Sequence, residues 1–131
     1  MKVLVAGGTG TIGLPLVHAL VSSGHQVTAL SRSKTRHAQL RDAGATALAV
    51  DALDPSAIRA AVVESRPTHV IHQLTALPKE GPKHSRDIEA TNRLRIDGTR
   101  NLIEASIQAG VQRLIVGSFA ILAHAADAGA Q

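Results

Sequence analysis

Apolar runs alternate with amphipathic stretches along the whole chain. Five runs rich in valine, isoleucine and alanine predict β-strands, at residues 2–6, 26–30, 46–50, 68–72 and 113–118. Most of these runs are continuously apolar, which is typical of parallel strands that are covered on both faces. Four stretches between them show helical periodicity, at residues 11–23, 34–43, 55–65 and 86–109. The pattern therefore predicts strands and helices that follow one another in turn.

Residues with strong positional preferences indicate where the helices begin and end. Asp54 followed by Pro55 predicts an N-cap and a first helical position, and Ser85 is the predicted N-cap of the fourth helix. Pro15 is tolerated only in a first turn, so we expect the first helix to begin near Thr11. Three glycines follow helices, as residues in the left-handed conformation do: Gly24, Gly44 and Gly110.

The alternation predicts an α/β fold, a doubly wound parallel sheet with helices on both faces and right-handed crossovers. We expect the strand order 3-2-1-4-5 in one domain, residues 1–131, with an irregular or helical tail at 119–131. One long loop, residues 73–85, follows the fourth strand. Open parallel sheets bind ligands at the carboxyl ends of their strands, so we expect this loop to border the binding site.

Composition narrows the class of protein. The 131 residues are 44% hydrophobic, with a mean hydropathy of +0.09, as expected of a folded globular domain. The absence of cysteine excludes disulfides, thiolate metal sites and cysteine nucleophiles. There is neither a secretory signal pattern nor a run of roughly 18 apolar residues that would cross a membrane. We expect a cytoplasmic protein without a membrane partner.

The positive charge suggests nucleic acid as a partner and the histidines suggest a metal ion, but the positions of these residues along the chain support neither. The net charge is +4 and the pI about 10.4, yet lysines and arginines are spread out and no aromatic residues interleave them. We therefore expect an anionic small ligand and no nucleic acid. Of seven histidines, His69 and His72 stand three apart on a predicted strand and point to opposite faces. We expect no metal site.

Four glycines in seven residues follow the first strand. Gly8, Gly10 and Gly13 form G-x-G-x-x-G between a predicted strand and a predicted helix, where a chain turns sharply and lets a pyrophosphate approach its backbone. A phosphate-binding P-loop would need lysine after the last glycine, and Leu14 stands there. The motif predicts a Rossmann-type dinucleotide site. The residues of this turn that we expect to bind the cofactor are Gly7, Thr9, Gly10, Thr11, Ile12 and Gly13.

The end of the second strand distinguishes NADP from NAD. NAD-binding versions of the fold carry an acid about 20 residues beyond the glycines, which binds the ribose 2′-hydroxyl. Here Ser31 and Arg32 stand at that point, and the first acid is Asp42. A hydroxyl and a positive charge favour the 2′-phosphate of NADP. The alternative is NAD, with Arg32 an exposed loop residue.

The combined motifs resemble the short-chain dehydrogenase/reductase superfamily, in its extended or atypical branch of the NAD-dependent epimerase/dehydratase type. Gly7, Gly10 and Gly13 give its G-x-x-G-x-x-G spacing, and "DGTRNLIEASIQAGVQRLIVGS" resembles its helix and fifth strand. The resemblance runs from Lys2 to about Phe119.

This resemblance implies roles for residues after the later strands. "VDALD" resembles the third-strand motif, which implies that Asp51 and the backbone of Ala52 contact adenine; the alternative for Asp51 is a turn-forming acid. Ser118 matches the serine near the nicotinamide and is our candidate catalytic residue. "VIHQLTA" resembles the fourth-strand segment and implies that three residues line the nicotinamide side: Gln73, Leu74 and Thr75.

The chain departs from the family pattern at two places. Arg95 stands where the extended branch usually has asparagine, and Asn92 lies one turn earlier. The Tyr-x-x-x-Lys pair is missing, because there is no tyrosine and no lysine beyond Lys83. Two hypotheses follow: an oxidoreductase of the epimerase, dehydratase or reductase type acting on a small molecule, or a non-catalytic dinucleotide-binding module or remnant. We expect a truncated cofactor-binding portion whose outer fifth strand promotes dimerisation or poor solubility.

Overall fold

The computed structural model describes residues 1–74 and 84–117. Thr75, Ser118 and the predicted tail, residues 119–131, lie outside the described residues. Within the two ranges, strands and helices alternate as predicted. In chain order the elements are β1 Lys2–Ala6, α1 Gly13–Ser22, β2 Gln26–Ser31, a 3₁₀ turn Lys34–Arg36, α2 His37–Asp42, β3 Thr46–Ala49, α3 Pro55–Ser65, β4 His69–His72, α4 Ser85–Ala109 and β5 Arg113–Val116.

The five strands form one parallel sheet in the order β3-β2-β1-β4-β5, which confirms the predicted topology. In the central register, Val5 lies beside Ala29 of β2 and Ile71 of β4. The same row continues outward to Ala47 of β3 and Ile115 of β5. Because all strands are parallel, the segments that leave them meet at one edge of the sheet, and that edge carries the site described below.

The sheet has one hydrophobic core on each face, which explains why the sequences of its strands are continuously apolar. Leu4 of β1 packs with Ile58 of α3 and Leu102 of α4, all fully buried. The next residue, Val5, belongs to the opposite core and packs there with Val17 of α1. Successive side chains of a strand point to opposite faces, so both positions must be apolar when helices cover both.

Several predicted helix boundaries are confirmed. Asp54 caps α3, where its Oδ1 accepts hydrogen bonds from the amides of Ser56 (3.0 Å) and Ala57 (3.2 Å). The glycines after α1, α2 and α4 all have positive φ, which only glycine adopts at low cost. These angles are +88° at Gly24, +93° at Gly44 and +72° at Gly110.

Two other boundaries differ from the prediction. Helix α1 begins at Gly13 rather than near Thr11, because the glycine turn extends through Ile12, which is the N-cap. Pro15 still falls in the first turn of the helix. The prediction of Ser85 as the N-cap of α4 is wrong: His84 is the N-cap, and its amide donates to Oδ2 of Asp87 (3.1 Å).

Strand β5 lies at an edge of the described sheet. Two of its apolar side chains are partly open to solvent, Ile115 at 46% and Val116 at 42% exposure. An apolar edge of this kind can pair with another chain, and self-association through β5 stays a prediction. Across the residues that the structure describes, no helix is long and apolar enough to cross a membrane.

Candidate functional site

Two of the glycines after β1 are required by the fold itself. Gly7 has φ +88°, and a Cβ there would overlap the carbonyl group of Gln73, which follows β4. A Cβ at Gly13 would overlap the carbonyl of Gly7. The amide of Gly10 donates to that same Gly7 carbonyl at 3.2 Å and closes the turn. Glycine at these two positions lets the turn, the start of α1 and the exit from β4 approach one another.

Gly10 is different, because no residue in the described part of the chain fills the space beside it. Of the described atoms, a Cβ there would meet only the Gly7 oxygen, at 3.5 Å, and the residue is exposed. The next three amides, of Thr11, Ile12 and Gly13, have no hydrogen-bond partner within residues 1–74 and 84–117. Ile12 is 65% exposed beside them. The turn therefore offers open space, free N–H groups and an apolar side chain at the positive end of α1.

The end of β2 lies directly beside this turn. The hydroxyl of Ser31 is 3.3 Å from that of Thr9, and it accepts a hydrogen bond from the amide of Ser33 at 3.2 Å. Ser31 is buried, whereas Arg32 is exposed and pairs with no acid of the described chain. The structure thus brings together the glycine turn and the two residues that we predicted to read the ribose.

The segment after β3 is organised by two side-chain hydrogen bonds. Oδ1 of Asp51 accepts from the amide of Leu53 at 3.0 Å, so Asp51 has the turn-forming role that we considered as its alternative. Its side chain remains exposed, and its contact with adenine stays a prediction. The carbonyl of Ala52 accepts from Nδ2 of the buried Asn101 at 2.8 Å. We did not predict this role of Asn101, which lies on the buried face of α4.

On the other side of the turn, the exits of β4 and β5 lie close together. The amide of Gln73 donates to the Ala6 carbonyl at 2.8 Å, which holds the end of β4 against the end of β1. A Cβ at Gly117 would stand only 2.7 Å from Oε1 of Gln73. The guanidinium of Arg95 donates to the carbonyls of Leu74 (3.3 Å) and Gly117. Thr75 and Ser118, the next residue of each segment, lie outside the described ranges.

His72 is buried at the end of β4 and is held neutral. Burial, and then the positive charge of Arg95, lower its pKa from 6.5 to about 4. Nδ1 accepts the amide N–H of Leu74 at 3.1 Å, so the proton is on Nε2, which is buried and has no partner among residues 1–74 and 84–117. His69 uses its Nδ1 to contact the hydroxyl of Thr68 at 2.8 Å. In the described chain no three histidine, aspartate or glutamate side chains come together as a metal site would require.

These residues fit a dinucleotide. The open space at Gly10 and the free amides of the turn suit a pyrophosphate. Since the turn follows the central strand β1, one half of such a ligand would lie toward β2 and β3, and the other toward β4 and β5. That arrangement would place adenosine beside Ser31 and Asp51, and the second base beside Leu74.

Comparisons with known proteins identify the family of the chain. The family model described as NAD dependent epimerase/dehydratase family matches residues 3–127. A 3-diazoavenalumate denitrifying reductase from a Streptomyces species is 44% identical over 123 residues, which are 94% of this chain and 39% of that protein. A 2-alkyl-3-oxoalkanoate reductase from Stenotrophomonas maltophilia is 30% identical over 128 residues, 96% of this chain and 36% of that protein.

Solved structures share the fold. A Thermus thermophilus UDP-glucose 4-epimerase in complex with NAD superposes with a TM-score of 0.74 and 33% identity, covering 87% of this chain and 36% of that one. The chain spans less than two-fifths of the length of the curated relatives it matches. Because the family model covers nearly all of its residues and the glycine turn has the expected form, the chain belongs to the NAD dependent epimerase/dehydratase family.

Proposed function

We propose that this chain is the cofactor-binding portion of an NADP-dependent reductase. The observation that carries the proposal is the end of β2, where Ser31 contacts Thr9 of the glycine turn and Arg32 stands exposed in place of an acid. A 2′-phosphate there would gain a charge-assisted hydrogen bond from Arg32. The names of two relatives, both reductases, support the reaction class.

In this proposal, different residues of the chain bind different parts of the cofactor. Gly10 and the free amides of Thr11, Ile12 and Gly13 hold the pyrophosphate. Asp51 and Ala52 contact adenine. The family resemblance implies that backbone at Gln73, Leu74 and Thr75 serves the nicotinamide side, and Ser118 is the candidate catalytic residue. The bound cofactor supplies the hydride, and the substrate is a small molecule.

Arg32→Ala tests the cofactor preference. A hydrogen bond to a charged group contributes about 1.5–3 kcal/mol, so the variant should bind NADP⁺ roughly 10- to 150-fold more weakly. Its affinity for NAD⁺ should hardly change, because NAD⁺ has no 2′-phosphate. The measurement is a calorimetric titration of the 131-residue chain with each dinucleotide.

Arg59→Ala is the matched control, since it removes an exposed arginine from α3. It should leave both affinities as they are. Equal losses for NADP⁺ and NAD⁺ in Arg32→Ala would show that Arg32 does not recognise the 2′-phosphate, and NAD would then be the favoured cofactor.

A second candidate function is dinucleotide binding without turnover. It is favoured by the lack of tyrosine in these 131 residues, since the family's proton donor has no counterpart here. A positioned proton donor typically contributes 10²–10⁴-fold to a rate. We expect the 131-residue chain to bind NADPH and not to oxidise it with ketones or nucleotide sugars, followed by absorbance. Robust NADPH consumption with a defined product would contradict this.

A further inference from the structure

His72 and Arg95 together hold the two residues that leave β4 and β5. Leu74 donates its amide N–H to Nδ1 of His72 (3.1 Å) and accepts at its carbonyl from Arg95 (3.3 Å). Gly117 donates its amide N–H to the His72 carbonyl (3.0 Å) and also accepts at its carbonyl from Arg95. His72 and Arg95 therefore bind the amide N–H and the carbonyl of both Leu74 and Gly117.

We call these hydrogen bonds of His72 and Arg95 to Leu74 and Gly117 the Arg95 clamp. Its geometry depends on arginine at position 95. A planar guanidinium presents several N–H donors in a fixed fork and can serve two carbonyls at once, whereas an ammonium is a single point of charge. Arg95 reaches across from α4, where Gly98 lets the helix approach: a Cβ there would stand 3.2 Å from Cδ1 of Leu74.

We propose that Arg95 is a positioning residue for the nicotinamide half of the cofactor. This inference rests on the proposed function, because it requires that a dinucleotide cross from β2 to β4. The sheet order puts the glycine turn in the middle, the ribose-reading residues on one side and the Arg95 clamp on the other. Backbone that is fixed before the ligand arrives does not have to be ordered upon binding, so the clamp favours affinity for that half alone.

The test compares a whole cofactor with one half of it. NADP⁺ and adenosine 2′,5′-bisphosphate are titrated by calorimetry into the 131-residue chain and its Arg95→Met and Arg95→Lys variants. Arg95→Met should bind NADP⁺ roughly tenfold more weakly, as expected when a charge-assisted hydrogen bond no longer holds the ligand-contacting backbone. Its affinity for adenosine 2′,5′-bisphosphate should not change. Arg95→Lys keeps one donor group, so its affinity for NADP⁺ should lie between those of the unmodified chain and Arg95→Met.

Arg100→Met is the matched control on the same helix, because the Arg100 side chain is exposed and forms an ion pair with Asp97 of the same helix. It should bind both ligands like the unmodified chain. Equal losses for both ligands in Arg95→Met, or no loss for NADP⁺, overturn the positioning role. An unmodified chain that binds neither ligand overturns the proposed function as well. The Arg32→Ala variant separates the two ideas, because it should weaken both ligands.

Discussion

Gly10→Asp is expected to abolish NADPH binding while the chain stays folded. Within residues 1–74 and 84–117, a Cβ at this position meets only the Gly7 oxygen, at 3.5 Å, and Gly10 does not have positive φ. The fold therefore tolerates a side chain at position 10, and the substitution lowers the affinity for the ligand instead. A carboxylate about 4 Å from a pyrophosphate charge costs on the order of 4 kcal/mol at an effective dielectric of 20, which is roughly a thousandfold in affinity.

Gly10→Asn separates charge from size, since asparagine has nearly the shape of aspartate without its charge. It should lose affinity through crowding alone and bind more tightly than Gly10→Asp. Circular dichroism and urea denaturation establish that both variants are folded. Matching NADPH titration curves for Gly10→Asp and the unmodified chain, with both folded, would show that the pyrophosphate does not approach Gly10.

Gly13→Ala is the informative contrast for the fold. A Cβ at Gly13 overlaps the Gly7 carbonyl even without a ligand, so that substitution perturbs the turn itself. The three glycines of the motif thus have different roles, which the spacing alone does not reveal. Gly7 and Gly13 allow close backbone packing within the fold, and Gly10 leaves space for a ligand.

The fold was predictable from the sequence because its signals are local. Continuously apolar strands require cover on both faces, and end signals mark the start of α3 at Asp54 and the end of α4 at Gly110. The errors lie where a competing local interaction decides the boundary. His84 replaces Ser85 as the N-cap because Asp87 bonds the His84 amide, and α1 begins late because the glycine turn takes up residues that the periodicity assigned to the helix.

The candidate site was predictable only in part. The glycine turn follows a motif of fixed spacing, and Ser31 and Arg32 stand at the usual distance from it along the chain, so sequence alone could single them out. The bonds from Arg95 to Leu74 and Gly117 join residues 21 and 22 positions apart, and Asn101 reaches Ala52 across 49 positions. No periodicity encodes such contacts. In the sequence Arg95 was only a departure from the family's asparagine, and the structure shows what that arginine holds.

The other large expected effect is a loss of stability below neutral pH that depends on His72. Its pKa in the folded chain is about 4, below the ordinary value of 6.5, because the side chain is fully buried and Arg95 lies beside it. The unfolded chain therefore takes up this proton first as the pH falls. The stabilising contribution is fully present above about pH 6.5 and is lost progressively down to about pH 4. Over that range it amounts to about 3 kcal/mol.

His72→Asn isolates this contribution from that of the other histidines. Asparagine can offer its Oδ1 to the Leu74 amide where His72 offers Nδ1, and it does not titrate. The free energy of unfolding, measured by urea denaturation at half-unit steps from pH 7.5 to pH 4, should fall more steeply in the unmodified chain than in the variant. The difference arises because protonation places a hydrogen on Nδ1, which can then no longer accept the Leu74 N–H, and puts a second positive charge beside Arg95. Parallel pH profiles would mean that His72 is not held neutral by this site and that the exit from β4 does not depend on its protonation.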